Sequence, residues 1–153
     1  MVQIYVDADA CPVKNEIIRV ARRHKLPVHM VANAWMRLDE GPLVHRVIVS
    51  DGFDAADDWI VEHAAPSDIV ITSDIPLASR CLEAGAFVMD PKGAPFTPDS
   101  IGAALAMRDL NAHLRDIGEI TGGARPFARQ DRSNFLSALE NLARRAMRAG
   151  RAG

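Results

Sequence analysis

Val2-Gln-Ile-Tyr-Val-Asp7-Ala-Asp9-Ala-Cys11-Pro12 decides the reading of this chain. A short apolar run stops abruptly at two carboxylates, then at a proline suited to the first position of a helix. The pattern is that of a strand delivering Asp7 and Asp9 to the carboxyl edge of a sheet. Ligands bind at that edge in α/β proteins, because loops and helix N-termini converge there. Two residues apart in extended chain, the two side chains point the same way.

Working outward, a helix is expected from Pro12 to His24, capped by Cys11 or Asp9, with Ile17, Ile18 and Ala21 on its buried side. Val28 to Ala32 and Val44 to Val49 read as further strands, separated by an irregular stretch that carries Trp35, Met36 and Arg37. A helix from Asp54 to Ala65 leads to a strand at Ile69 to Thr72. Pro76 opens another helix, stopped at Gly85, and Phe87 to Met89 is a fifth strand. From Thr97 the pattern is helical only: one helix to Ile117, a loop containing Thr121-Gly122-Gly123, and a last helix with Phe135, Leu139, Leu142 and Ala146 as its apolar stripe. The expected architecture is a single α/β domain over residues 1–148. Its sheet is mainly parallel, of about five strands flanked by helices, with a helical C-terminal third and a frayed tail at 149–153.

Composition narrows the function classes. With 153 residues and 48% apolar content the chain can build one proper core. No apolar run approaches the roughly 18 to 20 residues that span a bilayer, and the N-terminus lacks a signal-peptide pattern, so a cytoplasmic location is expected. Cys11 and Cys81 have no metal-ligand spacing and are expected to be reduced. Residues 1–100 carry 9 Lys/Arg against 15 Asp/Glu, whereas residues 101–153 carry 9 Arg against 5 Asp/Glu. An acidic front that holds cations and a basic end that follows a phosphate backbone is one reading; a solvated arginine face is the bland one.

Acid recurs at the strand ends. The first strand supplies Asp7 and Asp9, the third Asp51 and then Asp54, Asp57 and Asp58, the fourth Asp74, the fifth Asp90. Clustered carboxylates repel, and hard oxygen donors at such spacing favour Mg²⁺ or Mn²⁺. Helical phase sets Asp57 beside the stripe Ala56, Trp59, Ile60 and His63 and puts Asp58 nearly opposite it. Asp57 is therefore the site residue, and Asp54 serves as metal ligand or N-cap. Any one of these aspartates alone is most simply a cap or a turn residue, Asp74 and Asp90 above all. Cys11, although at a helix start, has no nearby His and reads as a small buried residue. The five histidines show no ligand spacing. Trp59 reads as core, whereas Trp35 reads as an exposed ring able to stack on a base.

Val6-Asp-Ala-Asp-Ala-Cys-Pro12, Gly52-Phe-Asp-Ala-Ala-Asp57, Val70-Ile-Thr-Ser-Asp-Ile-Pro-Leu-Ala78, Asp90-Pro-Lys-Gly93 and Asp131-Arg132 together resemble the YaiI/YqxD family of uncharacterised bacterial proteins. That family is grouped by fold resemblance with the PIN-like nucleases, whose Thr-x-Asp-x-x-Leu-Ala element is similar to Thr72 to Ala78. The resemblance implies a divalent ion held by Asp7, Asp57 or Asp54, and Asp74, with Asp9 as an extra ligand. The sequence departs from that pattern by its Asp7-Ala-Asp9 pair and by the lack of a further acid just after Asp74. The leading expectation is a metal-dependent phosphodiesterase acting on RNA, or in second place DNA, with Asp7, Asp9, Asp57 and Asp74 catalytic and Arg125, Arg129 and Arg132 on the phosphate backbone. Two alternatives compete with it. One is a phosphatase of the haloacid dehalogenase type, in which Asp7 is the nucleophile and Asp9 the acid and base. The other is a non-catalytic RNA-binding or receiver-like module.

Overall fold

The computed structural model describes the chain except residues 10, 51, 53, 119–125 and 153 and the side chain of residue 152. In chain order the elements are β1 (Ile4–Asp7), α1 (Lys14–His24), β2 (Val28–Ala32), β3 (Val44–Ile48), α2 (Ala55–His63) and β4 (Ile69–Ile71). Then follow α3 (Ile75–Glu83), β5 (Phe87–Met89), β6 (Pro95–Phe96), α4 (Pro98–Asp116) and α5 (Arg129–Ala152). The strands form one sheet in the order β3-β2-β1-β4-β5-β6. All neighbours are parallel except β6, which runs antiparallel to β5. The chain winds outward from β1 to β3, then returns to lay β4 on the other side of β1. The switch point between β1 and β4 is where such sheets open a crevice at their carboxyl edge.

Alternation along the strands sorts the core into two layers. Ile4, Val6, Val28, Met30, Ile69 and Ile71 face α1 and α5, meeting Ile17, Ile18, Phe135 and Leu139. Tyr5, Val31, Val70 and Val88 face the other way, onto Ile60 of α2 and Leu77, Ala78 and Cys81 of α3. Helix α4 packs along α3 and buries no residue fully. Among the described residues no helix is long and apolar enough to cross a membrane.

The structure adds detail that composition and period do not carry. Helix α1 starts at Lys14 rather than Pro12, and its N-cap position is held by Val13 with no side-chain cap, so neither Cys11 nor Asp9 plays that role. A sixth strand follows the turn at Asp90, whose Oδ1 accepts from the backbone N–H of Lys92 at 2.9 Å and of Ala94 at 3.0 Å. Gly93 in that turn has φ +92°, and a Cβ there would lie 3.0 Å from the Asn134 carbonyl oxygen of α5. Helix α5 runs on through Ala152 where the sequence suggested fraying, because Ala146 is buried and Gly150 lies against Val2. Asp68, buried at the start of β4, accepts from the N–H groups of Gln3 at 3.0 Å and Ala65 at 2.9 Å, tying the head of β1 to the α2–β4 turn. Cys11 and Cys81 are buried free thiols.

Candidate functional site

Asp7 is the last residue of β1, and Thr72 is the first residue past β4, side by side at the switch point. The Thr72 hydroxyl, 1% exposed, donates to Asp7 Oδ2 at 2.9 Å and accepts from the Asp74 N–H at 3.0 Å. Asp74 in turn is the N-cap of α3: its Oδ1 accepts from Leu77 N–H at 2.9 Å, with Pro76 in the first turn. One chain of hydrogen bonds thus runs from β1 through Thr72 to the start of α3. It fixes the orientation of both carboxylates.

Asp57, on the first turn of α2, completes the group. Burial pushes its carboxyl up to about 6, and the negative charges of Asp74, Asp7 and Asp54 push the same way against a smaller opposing pull from Arg80. Asp7 is also raised, chiefly by burial; the Thr72 hydrogen bond lowers it in part, while Asp74 and Asp9 raise it further. Asp7, Asp57 and Asp74 therefore feel one another although β1, α2 and α3 bring them from distant parts of the chain. The helical-phase argument holds: Asp57 is half-buried, whereas Asp58 is exposed and pairs with Arg80 at 3.0 Å.

The other expected site residues fall elsewhere. Asp9 is exposed, and both its oxygens accept from Asn33 N–H, at 3.2 and 3.1 Å. Asn33 Nδ2 donates onward to the Ser50 carbonyl at 2.7 Å, so Asp9 is a tie between the ends of β1, β2 and β3. Asp54 stands at the N-cap position of α2 but in the left-handed conformation, φ 62°, and its side chain makes no cap hydrogen bond; the expected cap is absent. Among the described residues no three His, Cys, Asp or Glu side chains form a group placed to hold a metal ion between them. Asp51, Arg125 and Thr121-Gly122-Gly123 lie outside the described residues. Arg129 is exposed at the start of α5. Arg132 is engaged at home, donating to Glu16 Oε1 at 2.7 Å and the Pro12 carbonyl at 3.0 Å and stacking over Phe127. Burial pushes the Cys11 thiol up, which suits a packing role.

Two features escaped the reading of the sequence. Thr72 entered only as part of a motif, yet it is the hinge of the site's hydrogen bonding. The histidines, scattered in sequence, gather: Tyr5, His29 and His45 are register partners on β1, β2 and β3 and stack at 4.8 and 5.0 Å. Trp59 and His63 of α2 stack at 3.7 Å beside them, which leaves Trp59 half-buried rather than in the core. Aligning the strands by register was the signal that finds this cluster. Burial and the neighbouring His45 and His63 lower His29, whose Nε2 is hydrogen-bonded to Gln3 Oε1.

A family model described as an uncharacterised YaiI/YqxD family matches residues 5–145. A UPF0178 protein of Bradyrhizobium diazoefficiens is 59% identical over 146 residues, covering 95% of this chain and 87% of the relative. UPF0178 proteins of Rhodopseudomonas palustris strain TIE-1 and Nitrobacter winogradskyi are each 57% identical over 148 residues, covering 97% of this chain and 94% of the relative. No solved structure matches the chain.

Proposed function

The chain belongs to the YaiI/YqxD family, whose description names no reaction, and we propose from the site itself that it is a metal-dependent phosphodiesterase acting on RNA. The observation that carries the reading is Asp57, on the first turn of α2, whose carboxyl is pushed up to about 6 by burial and by the charges of Asp74 and Asp7 at the switch point and of Asp54 beside it. Clustered carboxylates whose mutual repulsion outweighs the pull of the nearby Arg80 are the kind of environment that a divalent cation neutralises.

The donor set fits a hard, hydrated ion rather than a closed cage. One oxygen of Asp7 is taken by Thr72, one of Asp74 by Leu77 N–H, and Asp9 is occupied by Asn33. Mg²⁺ commonly keeps several waters and takes only one or two carboxylates plus substrate phosphate. Asp7 and Asp74 would hold it, with Asp57 close by. Such an ion supplies charge neutralisation and a bound water of lowered pKa. The chain's own residues do the rest: Thr72 and Leu77 N–H fix the two carboxylates in orientation, and Asp57, titrating near 6, exchanges a proton at its carboxyl close to neutral pH.

Asp9, with both oxygens on Asn33 N–H, is placed as a structural tie rather than as the acid and base that an aspartate-nucleophile phosphatase requires. A cytoplasmic location accords with RNA as substrate and with two reduced thiols. Calorimetric titration with Mn²⁺ tests the proposal. Saturable binding lost in both Asp7→Asn and Asp74→Asn, with Mn²⁺-dependent cleavage of labelled RNA lost in parallel, is expected. No binding to the folded wild type sinks it.

A further inference from the structure

The loop between β2 and β3 carries the most exposed aromatic ring among the described residues. Trp35 is 69% exposed. A ring of that size left in water is unusual, since tryptophan is highly buried on average. It is not loose, however. The guanidinium of Arg46 lies 5.1 Å from the ring centroid, and the same side chain donates from Nε to the Met36 carbonyl at 3.0 Å and reaches Glu40 Oε1 at 3.5 Å. Arg46 thereby clamps the loop and backs one face of the indole. The loop is pinned twice more: Arg22 of α1 donates to the Glu40 carbonyl at 2.6 Å, and Asn33, two residues before Trp35, holds Asp9.

The surroundings have a direction. Arg46 is the register partner of Met30, so its side chain emerges on the face covered by α1 and α5. On that face Arg19, Arg22 and Arg23 of α1, with Asn15 and Asp39, line a shallow basin against the same loop; Arg23, 55% exposed along its side chain, also pairs at the surface with Glu140 at 3.3 Å. A backed aromatic platform beside clustered arginines matches single-stranded nucleic acid, in which every base offers a π-face and every linkage a phosphate. Duplex does not match, because its bases are stacked on each other. The Asp9–Asn33 tie anchors the start of this loop, two residues before Trp35, at the carboxyl end of β1, where Asp7 lies.

We propose that Trp35, backed by Arg46, is a base-stacking platform for single-stranded nucleic acid, with Arg19 and Arg23 meeting its phosphates. This rests on the nucleic-acid reading of the acidic site and names the form of substrate that site receives. Because the ring is held before any ligand arrives, little ordering cost falls on binding. It confers affinity without reading sequence, since stacking tolerates all four bases.

The test is fluorescence anisotropy of a labelled oligouridylate in chelator, so that no cleavage occurs, with wild type, Trp35→Ala, Trp35→Phe and Arg19→Gln/Arg23→Gln. Circular dichroism checks that each folds, and Trp35, being exposed, is expendable to the core. Trp35→Ala should weaken binding about tenfold, from the usual value of one base–aromatic stack. Trp35→Phe should keep most of the affinity, an abasic oligomer should bind wild type as weakly as the uridylate binds Trp35→Ala, and the double arginine variant should show a shallower salt dependence. Equal affinity of wild type and Trp35→Ala overturns the platform and leaves the phosphodiesterase reading standing. Failure of wild type to bind any single strand, with Mn²⁺ binding intact, overturns both the platform and RNA as the substrate.

Discussion

The Thr72 hydroxyl stands 2.9 Å from Asp7 Oδ2 and 3.0 Å from the Asp74 nitrogen, joining the two central parallel strands at the point where the chain reverses its winding. Replacing it by valine keeps the shape and removes both bonds. Thr72→Val should cost about 1 to 3 kcal/mol in urea unfolding, the usual penalty for stranding buried polar groups. It should also raise the Asp7 carboxyl further, because the lost hydrogen bond favoured the charged form. Mn²⁺ affinity should then fall more at mildly acidic pH than at alkaline pH. A variant with wild-type stability and wild-type pH dependence would deny Thr72 this role.

Asp57 predicts an inverted pH dependence. Its folded carboxyl titrates near 6 and an unfolded one near 3.9, so between about pH 4 and 6 the folded protein holds the extra proton. Stability from this group is full below about pH 4 and is lost as pH rises through 6. Asp57→Asn should therefore stabilise the protein above pH 6, on the order of 1 kcal/mol once solvent screening is allowed for, and should have no such effect near pH 4. Thermal melts across that range check it, and a destabilised variant at pH 8 counts against the shared acidic site. Mn²⁺ should stabilise wild type in the same high-pH window.

Asp68 is a purely structural acid. Its two oxygens hold the N–H groups of Gln3 and Ala65, which lie far apart in the chain, and burial raises its carboxyl against those bonds. Asp68→Ala strands both donors. We expect a loss of about 2 to 3 kcal/mol with Mn²⁺ affinity unchanged, read from denaturant midpoints and calorimetry. Loss of metal binding at full stability would instead place Asp68 in the functional electrostatics.

Much of this was legible in the residues. The apolar run ending at Asp7 gave β1 and its carboxyl edge; the alternation of strands and helices gave the parallel sheet; helical phase separated Asp57 from Asp58. What was hidden depends on partners far along the chain. Asp9 and Asp7 look equivalent in Asp7-Ala-Asp9, and only the end of β2 decides that one is tied to Asn33 while the other faces Thr72. The ring cluster of Tyr5, His29 and His45 exists only once register is set. β6 is two residues long and half proline, too short for any period to show.

That proline also shapes how the protein meets its own copies. A sheet edge with free N–H groups is a template onto which another chain can add a strand, the first step of aggregation. Pro95 occupies half of the terminal strand on the β5 side and has no N–H to offer. At the opposite border, β3 has no outer neighbour among the described residues and carries His45 and Arg46. One border of the sheet is thus short and half proline, and the other carries polar rings and charge, two features that oppose edge-to-edge strand addition.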